Sequence, residues 1–232
     1  MIGVLGGMGP AATLDFFAKV LAATPAECDE DHVPILIQSD PRIPRRPAAI
    51  LADGESPLPA LLAGRDRLIA AGATALAMPC NTAHYWADDL ARNCPVPFLS
   101  IVDACCDELA AHAVSGARIG LIATRATLEA KIFDARLDEL GLELCLPNET
   151  EMENLILPGI KLVKAGKVAA GAELLEPAIQ NLLDRGISSV ILGCTEVPVA
   201  LDEVRSALAP HCIDSTAALA RKCVAWWQLN GR

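Results

Sequence analysis

Gly186-Ile187-Ser188-Ser189-Val190-Ile191-Leu192-Gly193-Cys194-Thr195 repeats the pattern of Gly72-Ala73-Thr74-Ala75-Leu76-Ala77-Met78-Pro79-Cys80-Asn81. In each stretch a glycine opens, a short apolar run follows, and a cysteine closes it eight residues after the glycine. Such a run, bounded by a glycine, reads as a buried strand. Further echoes lie upstream. Arg118-Ile119-Gly120-Leu121-Ile122 matches Ile2-Gly3-Val4-Leu5, and Ala126-Thr127-Leu128-Glu129 matches Ala12-Thr13-Leu14-Asp15. From strand glycine to cysteine the interval is 77 residues in the first half and 74 in the second. Several echoes in one order with matched offsets indicate a duplicated unit.

The elements between them define its kind. Met1 to Leu5 reads as a strand, followed by the turn Gly6-Gly7-Met8-Gly9-Pro10. Ala11 to Ala23 has helical periodicity, with Leu14, Phe17, Ala18 and Leu21 on one face. Val33 to Gln38 is a second strand, Ser39 to Pro47 a loop rich in proline and arginine, and Pro57 to Ala71 a helix stopped by Gly72. Thr74 to Met78 is a third strand. Strands alternating with helices at this spacing specify parallel βαβ units. The expected fold is α/β, with two pseudo-symmetric, doubly wound parallel-sheet domains and the active site between them. The first half covers residues 1–99, with the C-terminal helix (210–232) packing back on it, and the second covers residues 100–209. The join is expected near Val96 to Ser100.

Bulk composition excludes several function classes. The formal net charge is -10 and aromatic residues are 3%, so neither a phosphate-binding footprint nor a base-stacking surface is expected. No apolar run has the length of a membrane span, and the N-terminus lacks a basic leader, so a cytoplasmic location is expected. The nine cysteines include no C-x-x-C pair, which argues for reduced thiols over a zinc or disulfide framework, and no metal is expected.

Ligands of doubly wound sheets bind beyond the carboxyl ends of the strands. Cys80 and Cys194 each follow a predicted strand directly, so both point to such a crevice. Two opposed thiols suit the inversion of a carbon that bears an acidic C–H. One face needs a base, the other a proton donor, and the roles exchange in the reverse direction. A free thiol has a pKa of about 8.5 and only its thiolate is a useful base, so the site must lower that value. Helix N-termini favour an anion, and Asn81-Thr82 and Thr195-Glu196 are expected to begin helices, with Thr82 and Thr195 as caps or substrate contacts. The other seven cysteines read as packing residues: Cys105 and Cys106 in a helix, and Cys28, Cys94 and Cys212 in connections. His84, four residues after Cys80, is either an activator of the thiol or a hydrogen-bonded structural residue. Glu196 would raise a neighbouring thiol's pKa, which suits a hydrogen-bonding role better than a general base. Met8 is a candidate for lining the site and Thr124 its counterpart in the second half.

At Gly6-Gly7-Met8-Gly9-Pro10-Ala11-Ala12-Thr13, Pro79-Cys80-Asn81-Thr82-Ala83-His84 and Gly193-Cys194-Thr195-Glu196 the chain resembles the aspartate/glutamate racemase superfamily. The likeness is to its aspartate racemase and broad-specificity amino-acid racemase branch. Glutamate racemases typically open with Asp-Ser-Gly and carry His after the second Gly-Cys-Thr, where this chain has Glu196. The resemblance implies a cofactor-independent racemase, needing no pyridoxal phosphate, that acts on a free amino acid, with Cys80 and Cys194 as the acid/base pair. It implies a homodimer. It also implies a carboxylate-binding arginine, here Arg46 in Ile43-Pro44-Arg45-Arg46-Pro47, a loop that departs from the relatives' Ile-Pro-Asp-Arg-Thr at Arg45 and Pro47. Lys164, before Ala165-Gly166, matches a lysine that relatives carry at the same place. Asn81, Thr82 and Thr195 complete the expected substrate contacts.

Three alternatives stand beside this reading. One is a same-fold isomerase or racemase of another small acid, such as maleate or a hydantoin. The intact cysteine pair disfavours a related decarboxylase, which keeps one cysteine. Another is a non-catalytic amino-acid-binding protein, and the last a thiol-redox role.

Overall fold

Strand β1 (Ile2–Gly6) is buried along its whole length, as a parallel strand covered on both faces must be. It leads into α1 (Pro10–Ala23), β2 (Ile35–Ser39), α2 (Arg46–Leu51), α3 (Leu58–Ala70) and β3 (Ala75–Ala77). A tight helical turn, Thr82–Trp86, precedes α4 (Ala87–Ala91), β4 (Phe98–Leu99) and α5 (Ile101–His112). The strand order is β2-β1-β3-β4, with every pairing parallel. This is a computed structural model, and it describes residues 1–112 and 115–231.

The second sheet repeats the first. Its elements are β5 (Arg118–Ile122), α6 (Arg125–Glu129), α7 (Asp134–Glu139), β6 (Glu143–Cys145), α8 (Glu149–Glu151), α9 (Leu157–Lys164), α10 (Val168–Asp184), β7 (Ser189–Leu192), α11 (Glu196–Glu203) and β8 (Cys212–Asp214). They give the order β6-β5-β7-β8, again all parallel. The last helix is α12 (Ser215–Asn230). The chain divides into one unit of Met1–Ala104 with Thr216–Arg232 and another of Cys105–Ser215. Residue 232, the end of the expected C-terminal helix, lies outside the described residues. Among the described residues no helix is long and apolar enough to cross a membrane.

In each sheet the connections reverse direction between the two central strands, β1 and β3 in the first and β5 and β7 in the second. That reversal opens a crevice at their carboxyl ends. The segments arriving there are Gly7-Met8-Gly9 and Pro79-Cys80-Asn81 in the first unit, and Ala123-Thr124 and Gly193-Cys194-Thr195 in the second.

The expected apolar face of α1 is the wrong one. Leu14 is 70% exposed and Leu21 40% exposed, while Ala12, Thr13, Phe16 and Val20 are buried. Apolar residues fall on both sides of this helix, so periodicity cannot choose between them. The turn before it does: the Thr13 hydroxyl accepts the Gly7 N–H at 2.9 Å and donates to the Gly9 carbonyl at 3.0 Å. Those bonds set the helix's rotation and bring Phe16 inward. Gly7 itself has φ +92°, and a Cβ there would lie 2.4 Å from the Asp40 backbone, so only glycine fits. Two cysteine expectations need correcting: Cys212 opens strand β8 and does not sit in a connection, and Cys28 is exposed and so is not a packing residue. All nine cysteines are free thiols.

Helices α9 and α10 pack closely because small residues face each other. A Cβ on Gly171 would lie 2.5 Å from Val163 Cγ2, and one on Gly159 would lie 2.8 Å from Leu175 Cγ. The close approach fixes the C-terminal end of α9, where Lys164 stands.

Candidate active site

Cys80 follows β3 and is buried against the first unit's core, in a cluster that includes Leu5, Met8, Ile43, Met78 and Ala83. Its backbone is held by His84. The two His84 ring nitrogens meet the Cys80 carbonyl at 2.9 Å and the Ile101 N–H at 3.0 Å. Because Ile101 donates to Nε2, the proton sits on Nδ1 and is given to Cys80 O. Burial lowers the His84 pKa to about 4, against smaller opposing effects of the Cys80 carbonyl and Asp103. His84 is therefore a neutral structural residue. Of the two roles expected for it, activation of the thiol is the one that fails, because both ring nitrogens are spent on the backbone.

Arg46 starts α2 and turns its guanidinium back onto the loop. Nη1 donates to the carbonyls of Ile43 and Pro44 at 3.1 and 3.0 Å, and Nη2 to the Met8 carbonyl at 3.3 Å. All three acceptors are neutral, so the cation is positioned but its charge is not cancelled by them. Met8 contributes that carbonyl, while its side chain is buried in the core.

Thr82 and Thr195 are buried but neither acts as a side-chain cap. Asn81 is also buried and occupies the cap position before the Thr82–Trp86 turn. Thr124 does cap its helix: its hydroxyl accepts the Thr127 N–H at 3.3 Å and lies 3.0 Å from the Thr127 hydroxyl. The echo between Thr13 and Thr127 thus has a structural cause, since each ties its helix to the turn before it. That role for Thr13 escaped sequence reading, although the repeat was the signal for it.

Cys194 follows β7 and joins the second unit's core with Ile122, Met152, Ile156 and Val197. Its Sγ donates to Glu196 Oε2 at 3.0 Å, and the Thr195 hydroxyl reaches the same oxygen at 3.4 Å. The other carboxylate oxygen, Oε1, lies 3.3 Å from Lys164 Nζ. Lys164 and Cys194 are thus linked through one buried carboxylate. Burial, then the Glu196 charge, holds the Cys194 thiol well above the ordinary range, with Lys164 pulling the other way. The expectation that a helix N-terminus would lower this thiol's pKa fails, because Glu196 occupies the first position of α11 and brings its own negative charge there. The hydrogen-bonding role expected for Glu196 is the one observed.

Among the described residues no group of His, Cys, Asp and Glu could hold a metal ion. Two equivalent strand ends thus each carry a buried cysteine, one accompanied by a positioned arginine and the other by a Lys–Glu pair.

The profile of the Asp/Glu/hydantoin racemase family matches residues 5–223. A broad-specificity amino-acid racemase of Bacillus subtilis (strain 168) is 26% identical over 230 residues, covering 97% of this chain and 96% of its own. An aspartate racemase of Picrophilus torridus has a TM-score of 0.85 at 30% identity, over 97% of this chain and 93% of that one. An aspartate racemase homologue of Pyrococcus horikoshii OT3 has a TM-score of 0.76 at 27% identity, with 98% of both chains covered. Fold and site define an α/β isomerase of the racemase class. The chain belongs to the Asp/Glu/hydantoin racemase family.

Proposed function

We propose that this protein inverts the α-carbon of a free amino acid, aspartate or glutamate first, without a cofactor, using Cys80 and Cys194 as the two acid/base residues. One thiolate removes the α-proton, and the other cysteine's thiol delivers a proton to the opposite face; in the reverse reaction they exchange roles. Arg46 is the candidate for the substrate carboxylate. A fixed cation there stabilises the negative charge that builds up as the C–H bond breaks. Asn81, Thr82, Thr124, Thr195 and the Met8 turn are the candidate contacts for the rest of the substrate, with Lys164 for an acidic side chain.

The observation that carries this reading is the equivalence of the two cysteines. Each closely follows the third strand, β3 or β7, of a sheet with the same strand order. The similar aspartate racemase and broad-specificity racemase support an amino-acid substrate. Homodimer assembly and a cytoplasmic location belong to the same proposal, and light scattering on the purified protein tests the first.

The experiment is incubation in deuterated water, without pyridoxal phosphate, with L-aspartate, L-glutamate and a panel of neutral amino acids. Expected are α-deuterium and D-product for at least one acidic substrate. Cys80→Ser and Cys194→Ser should each remove nearly all turnover, and near-normal activity in either refutes the two-cysteine assignment. Because the family profile also names hydantoins, a hydantoin arm is included. Turnover of a hydantoin alone would move the assignment to that substrate.

A further inference from the structure

The duplication breaks at one chemically important position. Two residues after Cys80 stands Thr82, which is neutral, and two residues after Cys194 stands Glu196. The two thiols therefore do not meet equivalent surroundings. The Glu196 side chain is only 7% exposed, whereas that of Lys164, which bridges to it, is 46% exposed.

We propose that Glu196 is a positioning residue that holds Cys194 in its protonated form, so that in the free enzyme Cys194 is the proton donor and Cys80 the base. This rests on the two-cysteine mechanism proposed above.

The geometry supplies the reason. A thiol can donate to the Glu196 carboxylate only while it keeps its proton. Removing that proton puts a thiolate against a carboxylate at 3.0 Å, in a place with little water to separate them. The start of α11 would ordinarily favour an anion on Cys194, but Glu196 at the first helical position already fills that role. Other charged groups on the surrounding elements are turned elsewhere. Glu176 on α10 meets the Ser206 hydroxyl, Glu151 pairs with Arg185, and Asp214 of β8 acts on Cys212. Glu196 and Lys164 are the charged groups that act on the Cys194 thiol.

The proton count follows. The substrate's α-proton passes to the Cys80 sulfur, and the Cys194 S–H proton passes to the opposite face of the carbon. The enzyme is left with Cys80 as thiol and Cys194 as thiolate, facing Glu196. It returns to rest when Cys194 regains a proton from water and Cys80 releases one. A substrate whose acidic side chain draws Lys164 away from Glu196 removes the opposing charge and holds Cys194 more firmly as donor. A neutral amino acid leaves the Lys164–Glu196 pair in place.

The test reads thiol reactivity, which needs no turnover. Full-length wild type, Glu196→Gln, Glu196→Asp and Lys164→Met are alkylated with iodoacetamide across a pH series, and the rate at Cys194 is followed by peptide mass spectrometry. In Glu196→Gln the Cys194 profile should move to lower pH by at least about one unit, or about tenfold faster alkylation at a fixed pH below the midpoint. Lys164→Met should move it to higher pH, and Glu196→Asp should stay near wild type. A Glu196→Gln profile that coincides with wild type or moves up overturns the inference. So does a Lys164→Met profile that moves down, and this half-exposed position keeps the test decisive if Glu196→Gln misfolds. Shifted profiles in a protein that racemises nothing would sink the functional reading alone. Racemisation with coincident profiles would sink the role of Glu196 alone.

Discussion

Replacing His84 by glutamine separates its hydrogen-bonding role from its charge. In the folded chain burial holds the His84 pKa at about 4, against an ordinary value of 6.5. Between those values the unfolded chain binds a proton that the folded chain does not, so stability falls as pH falls. The stability is whole above pH 6.5 and is lost progressively down to about pH 4. A pKa difference of one between the folded and unfolded chain corresponds to about 1.4 kcal/mol, so the loss attributable to His84 is about 3 kcal/mol. At neutral pH the variant should itself be weaker than wild type. It disturbs two buried bonds, to the Cys80 carbonyl and the Ile101 N–H, and an unsatisfied buried group costs about 1–3 kcal/mol. The assay is urea unfolding followed by tryptophan fluorescence at pH 7.5, 6, 5 and 4. Trp86, Trp226 and Trp227 all belong to the unit that contains His84, so the signal reports that unit. Wild type should be the more stable at pH 7.5, and the gap should close or reverse by pH 4. Parallel losses in the two proteins would refute the buried neutral histidine.

Two further outcomes test how α1 and the turn before it are held. Thr13→Ala removes the acceptor of the buried Gly7 N–H and should lower stability by about 1–3 kcal/mol in urea unfolding, whereas Thr13→Ser should retain most of it. Leu14→Lys should change stability by less than about 0.5 kcal/mol, because the side chain is exposed, while Phe16→Ala should cost about 3–5 kcal/mol by opening a cavity in the core. Equal costs at positions 14 and 16 would contradict the observed rotation of α1.

Repetition is why so much of the fold was legible. A strand such as Arg118 to Ile122 is short and apolar, and alone it is ambiguous, but its match to Ile2 to Leu5 and the shared interval to a cysteine removed the ambiguity. Local backbone preferences and burial act on neighbouring residues, so strands, helix stops such as Gly72 and the two strand-end cysteines could be read directly. The rotation of α1 could not, because it depends on a hydrogen bond from Thr13 to a turn in the preceding loop. Nor could the state of His84, whose neutral character comes from burial and whose tautomer is set by the bond to Ile101, seventeen residues away.

The amino-acid sequence alone determined the duplicated α/β architecture, the two equivalent cysteines and the family that carries them. Only the tertiary structure decided what surrounds each thiol. The end of α9 brings Lys164 to Glu196, and Glu196 meets Cys194, across a sequence separation of about thirty residues. Sequence spacing records which groups recur; the charge felt by a buried thiol depends on distances of 3 to 4 Å that helix packing sets.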